Sequence, residues 1–390
     1  MPLPLSYTWR NLLARRLSSG LTFLVVAVVV FVLSVLLSFA AGMQASLKAA
    51  NSPVNIVVLK AGASAESTSI IWDDEVTPLA QTPGVATNES GGQLLSRELS
   101  VQAPVPRRTD LSRKANVPVR GVDDIAFGVH PEVRITEGRS FVQGQMEAIV
   151  GRAARGRFAN LEIGDQIALG RQVNRLFRIV GVFEANGSAL ESEIWAPRTV
   201  LTDSYRRTFA SSVHLRLSAP SAMPAALDYV NGPSVQLRGK REGEYYEDLN
   251  KKTREIVYLA SILIGIMSVG AAFAVANTMY AAVDARRREI AMLRTIGFAR
   301  RSVISIFMIE SVLLTAIACA AGLTCAAYLG GMKQDYLSDK TWTVFAFELK
   351  MTPQILAICF AVATTVGVIG AVAPAGRAAR TRILDALRKA

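Results

Sequence analysis

The chain has 390 residues, of which 51% are hydrophobic, and its mean hydropathy of +0.31 is high for a soluble protein of this length. Its formal net charge is +12. The three cysteines, Cys319, Cys325 and Cys359, all lie in long apolar stretches, which excludes a disulfide framework and makes them packing residues. The composition therefore indicates a membrane protein.

Four stretches are long enough to cross a hydrocarbon core, which takes about 20 apolar residues. Buried helices of a soluble protein are the alternative, but uninterrupted apolar runs above about 18 residues are rare there. The first run is also too long for a cleavable signal. The predicted segments are a cytoplasmic amphipathic segment 1–20, a first span 21–42, an extracytoplasmic domain 43–255, a second span 256–283, a basic cytoplasmic segment 284–301, a third span 302–332, a short extracytoplasmic loop 333–350, a fourth span 351–376 and a cytoplasmic tail 377–390.

The first segment has two interpretations of equal weight. Leu5–Leu17 carries Trp9 and three leucines on one face, so it can lie in the inner membrane interface. Alternatively, it only precedes the first span and has no role at the membrane interface.

A large domain is inserted between the first and second spans. Short apolar runs alternate there with turn residues, as in β-strands, and GRAARGRFANLEIGD between two of them predicts a short helix and a loop. The domain is therefore predicted to be α+β. No helix breaker follows Gly243 in GEYYEDLNKKTREIVY, so one helix is predicted to run from the domain into the second span. The candidate strands are Val54–Leu59, Val117–Val122, Ala148–Val150, Gln166–Leu169, Phe177–Phe183 and Val213–Leu217.

The distribution of charge predicts the orientation. Residues 1–20, 284–301 and 377–390 together carry 14 of the 43 basic residues and 3 of the 31 acidic ones, which accounts for nearly all of the net charge. Basic residues concentrate in cytoplasmic loops, so both termini and the segment 284–301 are predicted to be cytoplasmic and the inserted domain periplasmic. Nucleic-acid binding is the weaker explanation of the excess positive charge.

No catalytic or metal site is predicted. His130 and His214 are 84 residues apart, with neither helical ligand spacing nor a cysteine nearby. Ser188 lies in a turn and lacks the surroundings of a nucleophile elbow, and Gly239-Lys240 lacks the upstream glycine of a phosphate loop. Any nucleotide must therefore be bound by another chain.

The spans carry small residues at four-residue spacing, which lets helix backbones approach closely. The third and fourth spans are therefore predicted to pack tightly, within the subunit or across a dimer. Glu310 is an acid inside the third span, and we expect it to pair with Arg300 or Arg301, or to support the span during movement. The small residues are Ala318, Gly322, Ala326 and Gly330 in the third span, and Gly367, Ala371 and Ala375 in the fourth.

Three stretches resemble the permease family that contains MacB, LolC/LolE and FtsX. They are RNLLARRLSSGLTFL, RRREIAMLRTIGFARRSVISIFMIESVLL and PAGRAARTRILDAL, and the core R-x-E-I-x-x-L-R-x-x-G spans Arg287–Gly297. The pieces EAIVGRAARGRFANLEIGDQI and FRIVGVFEANGSALESEIWAP resemble the periplasmic domain of MacB-like members. The resemblance covers most of the chain in order.

The resemblance implies an inner-membrane, homodimeric permease of a type VII ABC system. In such systems a cytoplasmic ABC ATPase binds ATP and Mg²⁺, and its closure is transmitted through the spans to the periplasmic domains, a process called mechanotransmission. The chain lacks the fused ATPase of MacB and begins close to its first span, so a separate ATPase chain is expected. The large external domain favours the exporter branch. A periplasmic adaptor protein and membrane lipids are further candidate partners.

The resemblance also implies that residues 284–301, which we call the coupling segment, bind the ATPase. Ile290, Leu293 and Ile296 form an apolar stripe, Asp284 and Arg288 form an i,i+4 pair, and Gly297 is expected to end the helix. The alternative is that its arginines only fix topology and bind anionic lipids. The residues expected to couple to the ATPase are Arg286, Arg287, Glu289, Ile290, Leu293, Arg294 and Gly297.

Two other functions remain open. One is a regulatory transmitter, similar to FtsX, that activates a cell-wall hydrolase. The other is a membrane-anchored receptor with no ATPase. The sequence does not distinguish among lipids, lipoproteins, peptides and small toxic molecules as substrates of an exporter.

Overall fold

The computed structural model describes residues 16–49, 52–170, 175–249, 251–330, 333–337 and 344–380. The helices are α1 (Arg16–Ala49), α2 (Asp73–Val76), α3 (Ala126–Val129), α4 (Arg152–Arg155), α5 (Arg198–Tyr205), α6 (Met223–Val230), α7 (Glu242–Leu249), α8 (Lys251–Ala285), α9 (Arg287–Thr295), α10 (Arg300–Tyr328) and α11 (Pro353–Ala379). The strands are β1 (Asn55–Lys60), β2 (Leu95–Arg107), β3 (Asp110–Val122), β4 (Arg134–Gly138), β5 (Glu147–Gly151), β6 (Gln166–Ala168), β7 (Leu176–Glu184), β8 (Ile194–Pro197), β9 (Ser212–Arg216), β10 (Leu237–Arg241), β11 (Lys333–Leu337) and β12 (Val344–Glu348).

Four of these helices are long and apolar enough to cross a membrane. Their apolar stretches are Leu17–Gly42, Val257–Ala285, Arg300–Tyr328 and Pro353–Ala379. A sheet-rich domain lies between the first and second of them in the chain. The predicted fold class, four membrane helices with an inserted α+β domain, is therefore confirmed. Residues 16–20 of the predicted amphipathic segment begin α1, and the rest of that segment and most of the predicted tail lie outside the described residues.

The chain divides into two compact units. The first, the membrane unit, comprises Met1–Gly42, Thr253–Met332 and Glu348–Ala390. The second, the inserted domain, comprises Met43–Lys252 and Lys333–Phe347. The predicted short loop 333–350 thus contains a two-stranded sheet formed by β11 and β12. Helix lies on both sides of residue 250, and the predicted continuity through that residue lies outside the described part of the chain.

Helices of the membrane unit approach closely at three glycines. A Cβ atom at Gly322 of α10 would lie 2.5 Å from the carbonyl oxygen of Ala27 in α1. A Cβ atom at Gly367 of α11 would lie 2.5 Å from Oγ1 of Thr315 in α10. At Gly370, it would lie 2.7 Å from the carbonyl oxygen of Ala272 in α8. Glycine is needed at these positions because any side chain would collide with a neighbouring helix.

The predicted small-residue stripes of the third and fourth spans pack against different helices. In the third span Gly322 packs against the first span, and Gly330 is exposed. In the fourth span Gly367 packs against the third, where the hydroxyl of Ser311 donates a hydrogen bond of 2.8 Å to the Gly367 carbonyl. Their remaining members, Ala318, Ala326, Ala371 and Ala375, are buried.

The contact at Gly322 predicts a difference between two glycine-to-alanine substitutions. Gly322→Ala is expected to lower the thermal unfolding midpoint of the detergent-purified full chain, because overpacking costs about 1–3 kcal/mol. Gly265→Ala in α8 is the matched control, since a Cβ atom there would meet nothing within 4 Å. This control should leave the midpoint unchanged or raise it, because alanine favours helix by up to about 1 kcal/mol. Equal midpoints for the two variants would contradict the packing.

The inserted domain is built on a ten-stranded sheet in the described residues. Its strand order is β10-β1-β9-β2-β3-β8-β5-β7-β4, with β6 paired to β7. The 13-residue strand β2 joins the two halves, because Leu95–Glu98 pairs with β9 and Leu99–Arg107 pairs with β3. Separate apolar cores lie on the two sides of this junction. The junction is therefore the place where two parts of the domain must be held in register.

All six predicted strands are confirmed, as is the short helix α4 followed by a loop. Four strands of the main sheet were not predicted, namely β2, β4, β8 and β10. The strand β2 reads LSRELSVQAPVPR and carries polar residues and two prolines among its apolar ones. Its second half does alternate, with Leu99, Val101, Ala103 and Val105 buried, but two prolines inside a run argue against a strand.

Candidate functional site

The coupling segment forms the helix α9 and a tight turn. The helix ends at Thr295, and Gly297 adopts a φ of +102°, which only glycine takes without strain. The N–H of Phe298 donates to the Leu293 carbonyl (3.1 Å) and the N–H of Gly297 to the Arg294 carbonyl (3.3 Å). These two bonds form a Schellman motif, so Gly297 ends the helix as the sequence predicted.

Three contacts attach the coupling segment to the other helices of the membrane unit. Ile290 is buried in an apolar cluster with residues of α8, α10 and α11. The guanidinium of Arg286 donates to both carboxylate oxygens of Glu310, at 3.0 and 3.3 Å. Arg294 donates a hydrogen bond of 3.1 Å to the carbonyl of Ala379, the last residue of α11. The segment is therefore attached to the helix bundle by apolar packing, an ion pair and a hydrogen bond.

Two expected ion pairs are replaced by others. Glu310 pairs with Arg286 rather than with Arg300 or Arg301, because the chain folds back after α8 and brings Arg286 beside α10. Asp284 pairs with Arg287 at 2.7 Å, three residues away, rather than with Arg288 at the expected four-residue spacing. Helix α8 ends at Ala285, so the helical spacing of four residues does not continue across this point.

The predicted stripe of Ile290, Leu293 and Ile296 is not a single surface. Ile290 is 4% exposed and belongs to the bundle core, Leu293 is half-buried, and Ile296 is 77% exposed. Met292, four residues before Ile296, is 51% exposed. The exposed apolar surface of the segment is therefore the pair Met292 and Ile296, which we call the exposed pair. Arg287 and Glu289, two further predicted coupling residues, are also exposed.

The Arg286–Glu310 pair generates a stability prediction. Glu310→Gln should destabilise the detergent-purified chain by about 3 kcal/mol, since removing one member leaves the other charge largely buried. Asp284→Asn should change stability by less than about 0.5 kcal/mol, because the Asp284–Arg287 pair is exposed. Thermal unfolding of both variants measures this difference. The double variant Arg286→Gln, Glu310→Gln should recover part of the loss, and a Glu310→Gln variant as stable as wild type would contradict the pairing.

A second group of polar side chains lies inside the inserted domain, on one face of the β2 junction. Strand register places Ser96 opposite His214, and Glu98 opposite Ser212. It also places Ser100 opposite Arg120. Because side chains alternate between the faces of a sheet, these residues share one face, and Leu99 and Val119 point into the core on the other.

Arg120 is the centre of this group, which we call the buried network. Its guanidinium donates to Glu193 (2.7 and 2.8 Å), to Glu66 (3.0 Å twice) and to Glu98 (2.6 Å). The arginine and the three carboxylates are each at most 6% exposed. The indole N–H of Trp195 donates to Glu193 at 2.8 Å. A planar guanidinium with five donors is the side chain that can serve three carboxylates at once.

Both histidines of the chain belong to the buried network. Nε2 of His130 lies 3.1 Å from Glu98, and Nε2 of His214 lies 2.8 Å from Glu66. The two ring centroids are 5.0 Å apart. The two histidines are 84 residues apart in the sequence but adjacent in the fold. His214 comes from β9, and His130 follows α3, so only the three-dimensional fold brings them together.

The network shifts the pKa values of its members strongly. Burial raises the pKa of Glu66, but the charge of Arg120 and the hydrogen bond of His214 outweigh it and hold this pKa well below its usual range. Burial also raises the pKa of Glu98. The charges of His214, His130 and Arg120 outweigh this effect and hold the pKa well below its ordinary value. Burial lowers the pKa of His130, yet Glu98, Glu132 and Glu242 together raise it to about 10. The pKa of Glu242 is raised, chiefly by burial.

Substitution of Arg120 is predicted to lower the stability of the inserted domain. Arg120→Met should destabilise the full chain by at least about 3–5 kcal/mol, because three carboxylates would lose their common partner. The matched control Arg152→Met removes an exposed pair with Glu184 and should cost less than about 1 kcal/mol. Urea unfolding followed by tryptophan emission measures both, since Trp195 contacts the network directly. An Arg120→Met variant that unfolds with the control would contradict this role.

Comparison with known proteins agrees with this architecture. Residues 19–232 match the model of the MacB-like periplasmic core domain, which is more than half of the chain, and residues 261–383 match the FtsX-like permease C-terminal model. The chain belongs to the MacB/FtsX family of ABC permeases. In this permease the first match covers the first span and most of the inserted domain, and the second covers most of the chain that forms the remaining three spans.

Individual relatives of the permease are distant. The macrolide export ATP-binding/permease protein MacB of Escherichia coli K12 is 24% identical over 336 residues, 81% of this chain and 48% of that protein. MacB of Haemophilus ducreyi is 24% identical over 223 residues, 54% of this chain and 31% of that protein. The chain thus spans less than half the length of these relatives.

Two solved structures match part of this chain. The periplasmic region of MacB from Actinobacillus actinomycetemcomitans has a TM-score of 0.37 at 12% identity, covering 54% of this chain and 98% of that one. The extracellular domain of the transporter YknZ from Gram-positive bacteria has a TM-score of 0.34 at 11% identity, covering 48% of this chain and 98% of that one.

Proposed function

We propose that the chain is the permease subunit of an ABC export or extraction complex in the inner membrane. It forms a homodimer that binds a separate cytoplasmic ATPase, which holds the ATP and Mg²⁺. Both termini and the coupling segment face the cytoplasm, and the inserted domain faces the periplasm. ATP-driven movement of the ATPase passes through the helices to the inserted domain, which moves substrate from the periplasm or the outer face of the membrane.

The attachment of the coupling segment is the observation that carries this proposal. An element that transmits a movement must not slide on the helices that it moves. Ile290 packs among three of the spanning helices, Arg286 pairs with the third span, and Arg294 binds the end of the fourth. A force on α9 would therefore reach these helices together. Membership of an ABC permease family supports an ATPase as the source of that force.

The exposed pair provides the contact surface for the ATPase. Met292 and Ile296 are four residues apart, so they lie on one side of the helix, turned away from the buried Ile290. Exposed apolar side chains on a short helix are the kind of surface that binds a groove in a partner protein. Binding to anionic lipid alone would require the arginines but not the apolar pair.

Purification of the tagged chain from its native membrane, followed by mass spectrometry of the proteins that accompany it, tests the assembly. An ABC ATPase is the expected partner, and an adaptor protein in addition would support export. A peptidoglycan hydrolase or its activator in place of an adaptor would favour the regulatory function. Absence of any ATPase would overturn the proposal.

Substitution of the exposed pair tests the docking surface. Met292→Asp with Ile296→Asp should reduce capture of the ATPase by at least about tenfold, because loss of apolar contacts at an interface centre typically costs more than about 1.4 kcal/mol. The matched control Met292→Leu with Ile296→Leu keeps an apolar surface and should capture the ATPase normally. Both variants should unfold at the wild-type temperature, because both positions are exposed. Normal capture by the aspartate variant would place the ATPase elsewhere.

A further inference from the structure

Three buried polar atoms at and beside the His130 ring have no hydrogen-bond partner in the described chain. They are Nδ1 of His130, Oε1 of Glu132 and Oε1 of Glu242. The histidine and Glu242 are fully buried, and the side chain of Glu132 is 14% exposed. Buried polar groups are nearly always satisfied in native proteins, so three neighbouring exceptions require a physical explanation.

Two carboxylate oxygens lie close to Nδ1 of His130. Nδ1 of His130 lies 3.5 Å from Oε1 of Glu132 and 4.0 Å from Oε1 of Glu242. Ligands at about 2.0–2.2 Å from a tetrahedral Zn²⁺ ion lie about 3.3–3.6 Å from one another. Oε1 of Glu132 is thus already at ligand distance from Nδ1, whereas Glu242 would have to move toward the imidazole to share an ion with it. One imidazole nitrogen and two carboxylate oxygens form a donor set that suits Zn²⁺ and similar divalent cations.

The surroundings of the three atoms are those of an oriented metal site. The other ring nitrogen of His130, Nε2, lies 3.1 Å from Glu98, and a metal-binding histidine commonly donates its second N–H to a carboxylate. The other oxygen of Glu242 accepts a hydrogen bond of 3.1 Å from the backbone N–H of Ser52. Both contacts fix the direction in which the remaining ligand atom points.

We propose that His130, Glu132 and Glu242 bind a divalent cation of the Zn²⁺ type through Nδ1, Oε1 and Oε1. A water molecule completes the coordination from the side of Glu132, the partly exposed ligand. The two carboxylates balance the charge of the ion. The site does not depend on the proposed export function, because its ligands belong to the inserted domain alone.

A different grouping, Glu98 with His130 and His214, also brings possible ligand atoms within 4.8 Å of one another. Its electrostatics are unfavourable, because Glu98 accepts a hydrogen bond of 2.6 Å from Arg120. A cation there would lie beside the guanidinium, and like charges at a few ångströms repel strongly in a buried site. The edge of His130 that faces Glu132 and Glu242 is therefore the better position.

The site would join distant parts of the chain. Glu242 is the first residue of α7, at the C-terminal end of the inserted domain, and its contact with Ser52 reaches the N-terminal end. His130 and Glu132 come from the loop between α3 and β4. A bound cation would therefore fix the start of α7 to the body of the domain.

Zn²⁺ binding to the full-length protein tests the site. The chain is purified in detergent without a polyhistidine tag, stripped with a chelator and titrated with Zn²⁺ at one mildly alkaline pH by calorimetry. One ion per chain is expected, with a rise in the thermal unfolding midpoint. Glu132→Gln and Glu242→Gln should each weaken binding by at least about 100-fold, whereas Glu184→Gln, an exposed carboxylate of the same domain, should leave it unchanged.

Two further measurements assign the ligands. Co²⁺ in place of Zn²⁺ should give a spectrum without a thiolate charge-transfer band, which separates this site from binding to the cysteines of the spans. His214→Gln should retain binding. Failure of the wild type to bind Zn²⁺ would overturn the proposal, since a proton on His130 would then balance the carboxylates. Binding that survives Glu132→Gln, or that His214→Gln abolishes, would also overturn it.

Discussion

The inserted domain depends on one buried guanidinium. Arg120 lies where β2 passes from one half of the sheet to the other, and it holds carboxylates from β2, from the turn at Glu66–Thr68 and from the residue before β8. A shift of β2 by one residue would turn Glu98 into the apolar core and leave Arg120 without that partner. Because an unpaired buried charge is so costly, the network specifies the register of the junction.

The membrane unit is held together mainly by close packing of its helices rather than by a buried ionic network. Its helices approach through glycines whose missing side chains leave room for neighbouring helices, and its buried polar groups are mostly serine and threonine hydroxyls. The bidentate pair of Arg286 and Glu310 joins the coupling segment to α10, with Glu310 3% exposed in its side chain. A charge placed there must keep its partner in any conformation that the helices adopt, so α9 and α10 are expected to move together.

The sequence predicted what depends on composition and local pattern. Long apolar runs identified the spans, and Gly297 identified the end of α9, because both signals lie within a few neighbouring residues. The buried network required the pairing of β2 with β3 and β9, which no local pattern contains, and β2 itself escaped detection. A polar residue inside an apolar strand was the available signal, as in SVHLR around His214. The periodicity of α9 also failed to separate Ile290, which packs inward, from Ile296, which is exposed.

The attachment of α7 to its domain bears on how a movement would be transmitted. Tyr245 and Tyr246 pack against Val57 and Leu59 of β1, and the hydroxyl of Tyr245 accepts a hydrogen bond of 3.2 Å from the N–H of Glu66. Since Glu66 also binds Arg120, a force that enters along α7 reaches the centre of the sheet through two bonded contacts. A helix attached by apolar packing alone can slide, because apolar contacts are not directional. A hydrogen bond restricts both distance and angle, so the bond from the Glu66 backbone to Tyr245 fixes α7 to the segment whose carboxylate binds Arg120.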